Sequence, residues 1–163
     1  MKVQDVMMRT PACCTPETNL GAAVELLWSR NCGILPVVDA RQKVIGVVTD
    51  RDLCMALGTR NKLPGRMTVG EVVKEEVYTC SAQDDIHVAL ETMGQHKVRR
   101  LPVVGRDNVL EGILSMDNVI LHTETGAWGR ASGLSHEDVI KVLQRIYGPS
   151  LPQIVESRTA TVH

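Results

Sequence analysis

The chain has 163 residues, of which 44% are hydrophobic and 23% are charged. This composition is typical of one compact soluble domain or of two small halves packed together. A formal net charge of -1, two Trp, two Tyr and no Phe argue against a nucleic-acid surface, because such surfaces combine basic patches with stacking aromatics. No apolar run approaches the roughly 18 residues that span a bilayer, so we expect no membrane contact.

The first half of the chain predicts short strands and helices in alternation. The predicted elements are a short helix or turn over Val3–Met7, an extended stretch over Pro11–Cys14, a helix over Leu20–Trp28, strands over Leu35–Val38 and Val44–Val48, and a helix over Arg51–Leu57. Apolar residues from Leu20 to Leu27 recur at helical spacing. Pro36 cannot lie inside that helix and therefore marks a strand.

The second half repeats the first at a constant offset of 66 residues. Residues 35–38 (Leu-Pro-Val-Val) fall on residues 101–104 (Leu-Pro-Val-Val), and residues 46–49 (Gly-Val-Val-Thr) fall on residues 112–115 (Gly-Ile-Leu-Ser). The offset predicts a helix over Ile86–Met93, strands over Leu101–Val104 and Val109–Leu114, and a last helix that begins at Ser115. Because so short a unit cannot easily bury its own apolar face, we expect the copies to share a core, with a ligand site at the seam.

The predicted fold is α+β, with two β-α-β-β-α repeats packed with pseudo-two-fold symmetry and a C-terminal helix. Repeat 1 spans residues 1–58, a linker 59–66, repeat 2 67–122, and a C-terminal loop, helix and tail 123–163. Ser135 is the predicted cap of the last helix, with Asp138 three residues on. That helix is a strut against the repeats, a dimer element or a partner-binding element.

The cysteines and histidines lack the spacing of a metal or catalytic site. The five Cys lie inside predicted strand-like or helix-like segments, and the five His are scattered. This pattern favours reduced core thiols in a cytoplasmic protein that needs no metal. No phosphate loop, Gly-x-Ser-x-Gly or Cys/His nucleophile pattern is present, so we expect the chain not to be an enzyme.

The sharpest local signal is the turn at residues 46–52, Gly-Val-Val-Thr-Asp-Arg-Asp. A strand ends here, and the free N–H groups of the following helix suit a phosphate. The Thr49 hydroxyl can add a donor, and the Asp52 carboxylate can accept both hydrogen bonds of a ribose cis-diol. Thr49 and Asp52 can equally be a helix-capping pair without a ligand.

Three cations, Lys97, Arg99 and Arg100, stand just before the second Leu-Pro. Cations at the end of a helix are favourable on their own, but paired arginines also suit a phosphate through bidentate contacts. If the repeats pack with pseudo-two-fold symmetry, the Thr49 turn of one repeat can approach these arginines of the other.

The tandem repeat, the two Leu-Pro-Val-Val strands and the Gly-Val-Val-Thr-x-x-Asp turn resemble the cystathionine-β-synthase (CBS) domain pair, or Bateman module. The resemblance covers about Met1 to His122. It implies a stand-alone regulatory module that binds an adenosyl ligand, such as AMP, ADP, ATP or NAD, in a cleft between the repeats. The arginines make S-adenosylmethionine less expected than a phosphate-bearing ligand.

The resemblance implies one complete site and one degraded site. The complete site consists of Thr49, Arg51 and Asp52 with Arg99 and Arg100 around phosphate and ribose, and of Val77 and Tyr78 beside the base. The second site consists of Ala12, Ile34, Ser115 and Asn118. Asn118 stands where the family prefers Asp, and Gly33 and Ile34 replace the two arginines. A phosphorylated ligand is therefore predicted to prefer the first site, and the second is empty, weaker or takes an unphosphorylated group.

Three functional classes follow from these observations. The first is a sensor in which ligand binding changes the angle between repeats or dimer halves, and an unknown protein target reads that change in trans. The second is a structural dimerisation scaffold with a vestigial site, and the third is a nucleotide hydrolase. Because the family usually forms flat antiparallel dimers of modules, the resemblance also implies a homodimer through the apolar faces of the four helices that follow the strand pairs.

Overall fold

The computed structural model describes residues 1–123 and 133–149. The strands are β1 (Met8–Arg9), β2 (Ile34–Val38), β3 (Val44–Thr49), β4 (Arg100–Val104) and β5 (Leu110–Ser115), and the helices are α1 (Leu20–Ser29), α2 (Asp50–Thr59), α3 (Ile86–His96), α4 (Met116–Leu121) and α5 (His136–Tyr147). The predicted α+β repeats and C-terminal helix are confirmed. The predicted loop before α5 and the tail after it lie largely outside the described residues.

Each helix begins at a polar side chain that accepts a hydrogen bond from the first helical turn. These N-caps are Asn19, Thr49, Asp85, Ser115 and Ser135. Because such residues satisfy N–H groups that the helix itself leaves unpaired, they fix where each helix starts.

No helix in the described part of the chain is long and apolar enough to cross a membrane.

The two repeats form the same strand pairing. β2 runs antiparallel to β3 with Ile34 opposite Thr49, and β4 runs antiparallel to β5 with Arg100 opposite Ser115. Each of these pairs is 66 residues from its counterpart, so the repeat seen in the sequence is also a repeat of strand register. Each helix that follows a β-hairpin, α2 or α4, starts at the end of the second strand.

The opening segment of each repeat joins the sheet of the other repeat. Met8 in β1 pairs with Ile113 in β5, and the equivalent residue of the second repeat, Lys74, pairs with Val47 in β3. The preceding 3-10 turns, Val3–Asp5 and Val69–Glu71, hydrogen-bond across the repeats in the same way. This reciprocal exchange brings the two repeats together around a pseudo-two-fold axis.

Two hydrophobic cores result, which corrects the expectation of one shared core. One core joins Val3 and Val6 to residues of the second repeat. The other joins Met67 and Val69 to residues of the first. Each repeat therefore completes its own core with the opening segment of the other, because neither unit buries its apolar face alone.

Helix α5 packs on the second repeat. Val139, Val142 and Ile146 are buried in the same core as the α3 residues Leu90 and Met93. The corresponding face of the first repeat, formed by α1 and α2, has no described helix over it. The structure thus places α5 as a strut against α3 and leaves the two repeats with different outer faces.

Candidate ligand-binding cleft

The predicted first site is a cavity of about 620 Å³ between the repeats. Its walls include every residue assigned to that site, namely Thr49, Arg51, Asp52, Val77, Tyr78, Arg99 and Arg100. Thr49, Arg51 and Asp52 come from the start of α2. Val77 and Tyr78 come from the segment that enters the second repeat, and Arg99 and Arg100 come from the junction of α3 and β4. This volume lies within the range of about 300–1,000 Å³ that is usual for small-molecule sites.

Thr49 and Asp52 form the capping pair that the sequence left as an alternative. The backbone N–H and the hydroxyl of Thr49 both donate to Oδ2 of Asp52, at 3.0 and 2.6 Å. The backbone N–H of Asp52 donates in return to Oγ1 of Thr49 at 3.2 Å. These bonds leave Oδ1 of Asp52 as the carboxylate oxygen without a partner in its own repeat.

Oδ1 of Asp52 receives a cation that the sequence reasoning missed. Nζ of Lys74 lies 2.6 Å from it, with the lysine side chain 62% exposed and the aspartate side chain 13% exposed. Lys74 is in reach because its backbone pairs with Val47, two residues before the cap Thr49. Its only sequence signal was the 66-residue offset, which aligns it with Met8 of β1 and so with a strand that crosses to the other repeat.

The environment of Asp52 keeps this carboxylate ionised. Burial raises its pKa, but the hydrogen bonds from Lys74 and Thr49 outweigh burial and hold the pKa below its ordinary value. A charged carboxylate accepts hydrogen bonds without donating any. Asp52 is thus suited to a vicinal diol, which offers two donors.

The two arginines of the cleft are anchored on the side away from it. Nη1 of Arg99 donates to the hydroxyl of Tyr147 at 3.0 Å. Nη2 of Arg100 lies 3.6 Å from Oδ2 of Asp117. A guanidinium carries five N–H donors in a rigid plane, so each arginine retains donors that can face an anion in the cleft.

Tyr78 is held within the cleft wall by two neighbours. Its ring stacks on His96 with ring centres 3.6 Å apart and an angle of 18° between the planes. Its hydroxyl donates to Glu76, and this hydrogen bond raises the pKa of Tyr78. Tyr78 and its neighbour Val77 together give this end of the cavity an apolar wall against which a flat base can lie.

Two of the residues assigned to the second site, Ser115 and Asn118, are in contact with each other. Ser115 caps α4 and donates from its hydroxyl to Oδ1 of Asn118 at 2.5 Å, which reproduces the Thr49–Asp52 pair with an amide in place of the carboxylate. Ala12 is half-buried against the core of the first repeat. Ile34 lines the first cavity. Its neighbour Gly33 lies close to Arg100, since a β-carbon added at Gly33 would be 3.5 Å from Nη1 of Arg100.

The described acidic, His and Cys side chains do not cluster as metal ligands, and two of the Cys are buried. They contain no group of three or more His, Cys, Asp or Glu that could hold a metal ion. The equivalent buried residues Cys14 and Cys80 each have a pKa raised to about 12, above all by burial. Both therefore remain protonated thiols at neutral pH, and they pack in the two cores as small apolar side chains.

Comparison with known proteins gives a consistent family. A sequence model of the CBS domain matches residues 3–59 and 69–123. The chain is 28% identical over 140 residues to the CBS domain-containing protein YhcV of Bacillus subtilis, over 84% of this chain and 97% of that protein. Some other curated relatives are longer enzymes, of which the chain spans only 23 to 24%.

Two solved structures illustrate what similar proteins bind. The chain superposes on CBSX2 of Arabidopsis thaliana in complex with AMP, with a TM-score of 0.64 and 29% identity over 74% of this chain and 93% of that one. It superposes on Hypoxic Response Protein I with two coordinated zinc ions, with a TM-score of 0.69 and 27% identity over 76% of this chain and 100% of that one. Hypoxic response protein 1 of Mycobacterium tuberculosis is also similar to this chain in sequence, with 28% identity over 119 residues.

Proposed function

The chain belongs to the CBS domain family, and we propose that it is a regulatory module that binds an adenosine nucleotide in the cavity between its repeats. One observation carries the proposal. A single cavity collects the Thr49 hydroxyl and the Asp52 carboxylate from one repeat and Arg99 and Arg100 from the other. These groups match the ribose diol and the phosphate of a nucleotide, and a similar protein is known in complex with AMP.

Ligand entry requires an exchange of partners at Asp52. Thr49 holds Oδ2, and Lys74 holds Oδ1 at 2.6 Å. A ribose diol that binds Asp52 displaces Lys74 from Oδ1, because this ion pair is the most exposed of the contacts. The displaced ammonium then lies at the cavity with Arg51, Arg99 and Arg100, where it adds positive charge for the phosphate.

Calorimetric titration with AMP, ADP, ATP, NAD, S-adenosylmethionine and adenosine tests the proposal. The informative variant is Asp52→Asn, because Asn118 forms the same cap with Ser115 and shows that an amide is compatible with the turn. We expect micromolar binding of a phosphate-bearing ligand to the wild type. Binding to Asp52→Asn should be at least tenfold weaker, because the amide cannot accept the hydrogen bonds of the ribose diol as the charged carboxylate does.

Asn118→Ala is the matched control, since it alters the equivalent position of the weaker second site. It should leave the affinity of the stronger site unchanged. Absence of binding by the folded wild type across the whole panel would refute the nucleotide sensor. Equal affinity of the wild type and Asp52→Asn would show that the ligand does not contact Asp52.

A dimer is the second part of the proposal. A groove of about 850 Å³ runs between α1 and α2, lined by apolar side chains that include Val24, Trp28 and Leu57. On the second repeat the corresponding face is covered by α5. We therefore propose a homodimer through the α1–α2 face of the first repeat, in place of the four-helix contact that the family resemblance implied.

The output of such a module is a change in the angle between the repeats or between the dimer halves. A separate protein target recognises that change. A ligand shifts that angle only through its different affinities for the two arrangements. The exchange of Lys74 between Asp52 and the phosphate provides such a difference. The five free cysteines are consistent with the reducing cytoplasm in which we expect the protein to act.

A scaffold without a ligand is the alternative function. The open groove favours it, because the groove offers an interaction surface whether or not the cavity is used. The two functions differ in the titration above, since a scaffold dimerises but binds none of the nucleotides. A hydrolase would release phosphate from ATP in the same samples.

A further inference from the structure

The C-terminal end of α5 contacts two cations of the cleft. Arg99 donates from Nη1 to the Tyr147 hydroxyl at 3.0 Å. Lys97 donates from Nζ to the carbonyl oxygen of Gly148 at 3.1 Å. Both cations line the cavity between the repeats, whereas Tyr147 and Gly148 lie beyond the residues that match the family.

The position of Tyr147 is fixed by contacts that do not involve the cleft. Val142 and Ile146 of α5 are buried against α3. Arg145 forms a two-pronged ion pair with Glu91 of α3. Gly94 of α3 permits this approach, because a β-carbon there would lie 3.2 Å from Nε of Arg145. Docking of α5 on α3 therefore places the Tyr147 hydroxyl before any ligand arrives.

The arginines stand between the cleft and α5. Arg99 and Arg100 line the cavity between the repeats. They also line a second, smaller cavity of about 120 Å³, whose wall includes Leu143 and Tyr147. Arg99 is an exposed side chain with several rotatable bonds. The hydrogen bond to Tyr147 restricts those rotations and uses one of the five N–H donors of the guanidinium. This restriction lowers the entropy that phosphate binding would otherwise cost.

We propose that α5 is part of the ligand site, in which Tyr147 is a positioning residue that orients Arg99 towards the phosphate. This inference rests on the proposed function and assigns a role to the helix outside the repeats. Because coupling between two sites is reciprocal, a phosphate-bearing ligand must also strengthen the docking of α5. The module then reports occupancy of the cleft through a helix on its outer surface.

The test uses the full chain with three probes and one small substitution. Tyr147→Phe removes the hydroxyl and retains the ring. AMP, adenosine and pyrophosphate are titrated into the wild type, into Tyr147→Phe and into the control Ile140→Ala, whose side chain on α5 is exposed. We expect Tyr147→Phe to weaken AMP and pyrophosphate by roughly threefold to tenfold, the usual effect of one hydrogen bond, with adenosine unchanged.

Hydrogen exchange of the α5 amides supplies a second readout. AMP and pyrophosphate should slow exchange in α5 of the wild type more than adenosine does, and this difference should shrink in Tyr147→Phe. A hydroxyl with a merely structural role would speed exchange in α5 without changing the ratio of AMP to adenosine affinity. That result would overturn the inference.

The outcomes separate this inference from the proposed function. AMP binding with equal affinity to wild type and Tyr147→Phe leaves the sensor intact and removes Tyr147 from the site. Pyrophosphate binding that depends on Tyr147, with no binding of any nucleoside ligand, retains the anion site and refutes the nucleotide sensor. Absence of binding by all three probes refutes both.

Discussion

Nζ of Lys74 lies 2.6 Å from Oδ1 of Asp52, and the two residues come from different repeats. The contact exists because the chain entering the second repeat adds Lys74 to the sheet of the first, opposite Val47. An ion pair thus joins the repeats at the position where the ribose of a nucleotide is proposed to bind. Stability of the empty cleft and affinity for a ligand are linked through one carboxylate.

Asp52→Asn should lower the free energy of unfolding at pH 7 by about 1 kcal/mol, the scale of a partly exposed ion pair. The folded-state pKa of Asp52 lies below its ordinary value of 3.8. The stabilisation is therefore complete above that value and disappears as the pH falls through the folded-state pKa. Urea unfolding of both proteins at pH 7, 5 and 3 checks this, and a difference that grows towards acid pH would contradict it.

Lys74→Gln should strengthen the binding of adenosine by roughly twofold to fivefold, because the diol no longer competes with an exposed ion pair of about 0.5–1 kcal/mol. The gain should be smaller or reversed for AMP, since the same lysine is proposed to contact the phosphate. Paired titrations with adenosine and AMP measure both effects. Equal changes for the two ligands would show that Lys74 does not move between Asp52 and the phosphate.

Gly46→Ala should destabilise the protein by about 1–3 kcal/mol, the usual range for an overpacked site. A β-carbon at Gly46 would lie 2.3 Å from Cγ2 of Val73 and 3.0 Å from the carbonyl oxygen of Lys74, so the exchanged segment must move. Gly58→Ala in α2 is the control, with no atom within 4 Å of the added carbon, and it should be neutral or stabilising. Thermal unfolding of both variants gives the comparison.

Trp28→Asp should convert the protein to a monomer if the α1–α2 groove is the dimer interface. Trp28 is 87% exposed at the edge of this groove, and a buried unpaired carboxylate at an interface is costly. Light scattering during gel filtration at micromolar concentration gives the mass. Ile140→Asp on the outer face of α5 is the control, and a monomer from that variant instead would place the interface on α5.

The periodicities of the sequence predicted most of the local structure. Helical spacing from Leu20 to Leu27 and the prolines at positions 36 and 102 located α1, β2 and β4, because period and proline geometry are local properties. The first strand was misplaced, because β1 covers Met8–Arg9 and not the predicted extended stretch Pro11–Cys14. Among the helices, the largest boundary difference is at α3, which continues to His96 past the predicted end at Met93. The helix ends there because Lys97 adopts the left-handed conformation, with φ of 53°. This end was not predictable from residue type, since the left-handed residue after a helix is usually Gly or Asn.

The sequence by itself determined the two-fold repeat, the fold and most of the polar residues that gather around the first cavity. A constant 66-residue offset repeats the register of the strand pairs, so equivalent strand residues meet equivalent partners. Only the tertiary structure decided that the opening segments are exchanged, that Lys74 reaches Asp52 and that α5 holds Arg99 from behind. Those contacts depend on how surfaces distant in the chain pack and which side chains then fall within a few ångströms, and neither local propensity nor spacing contains that information.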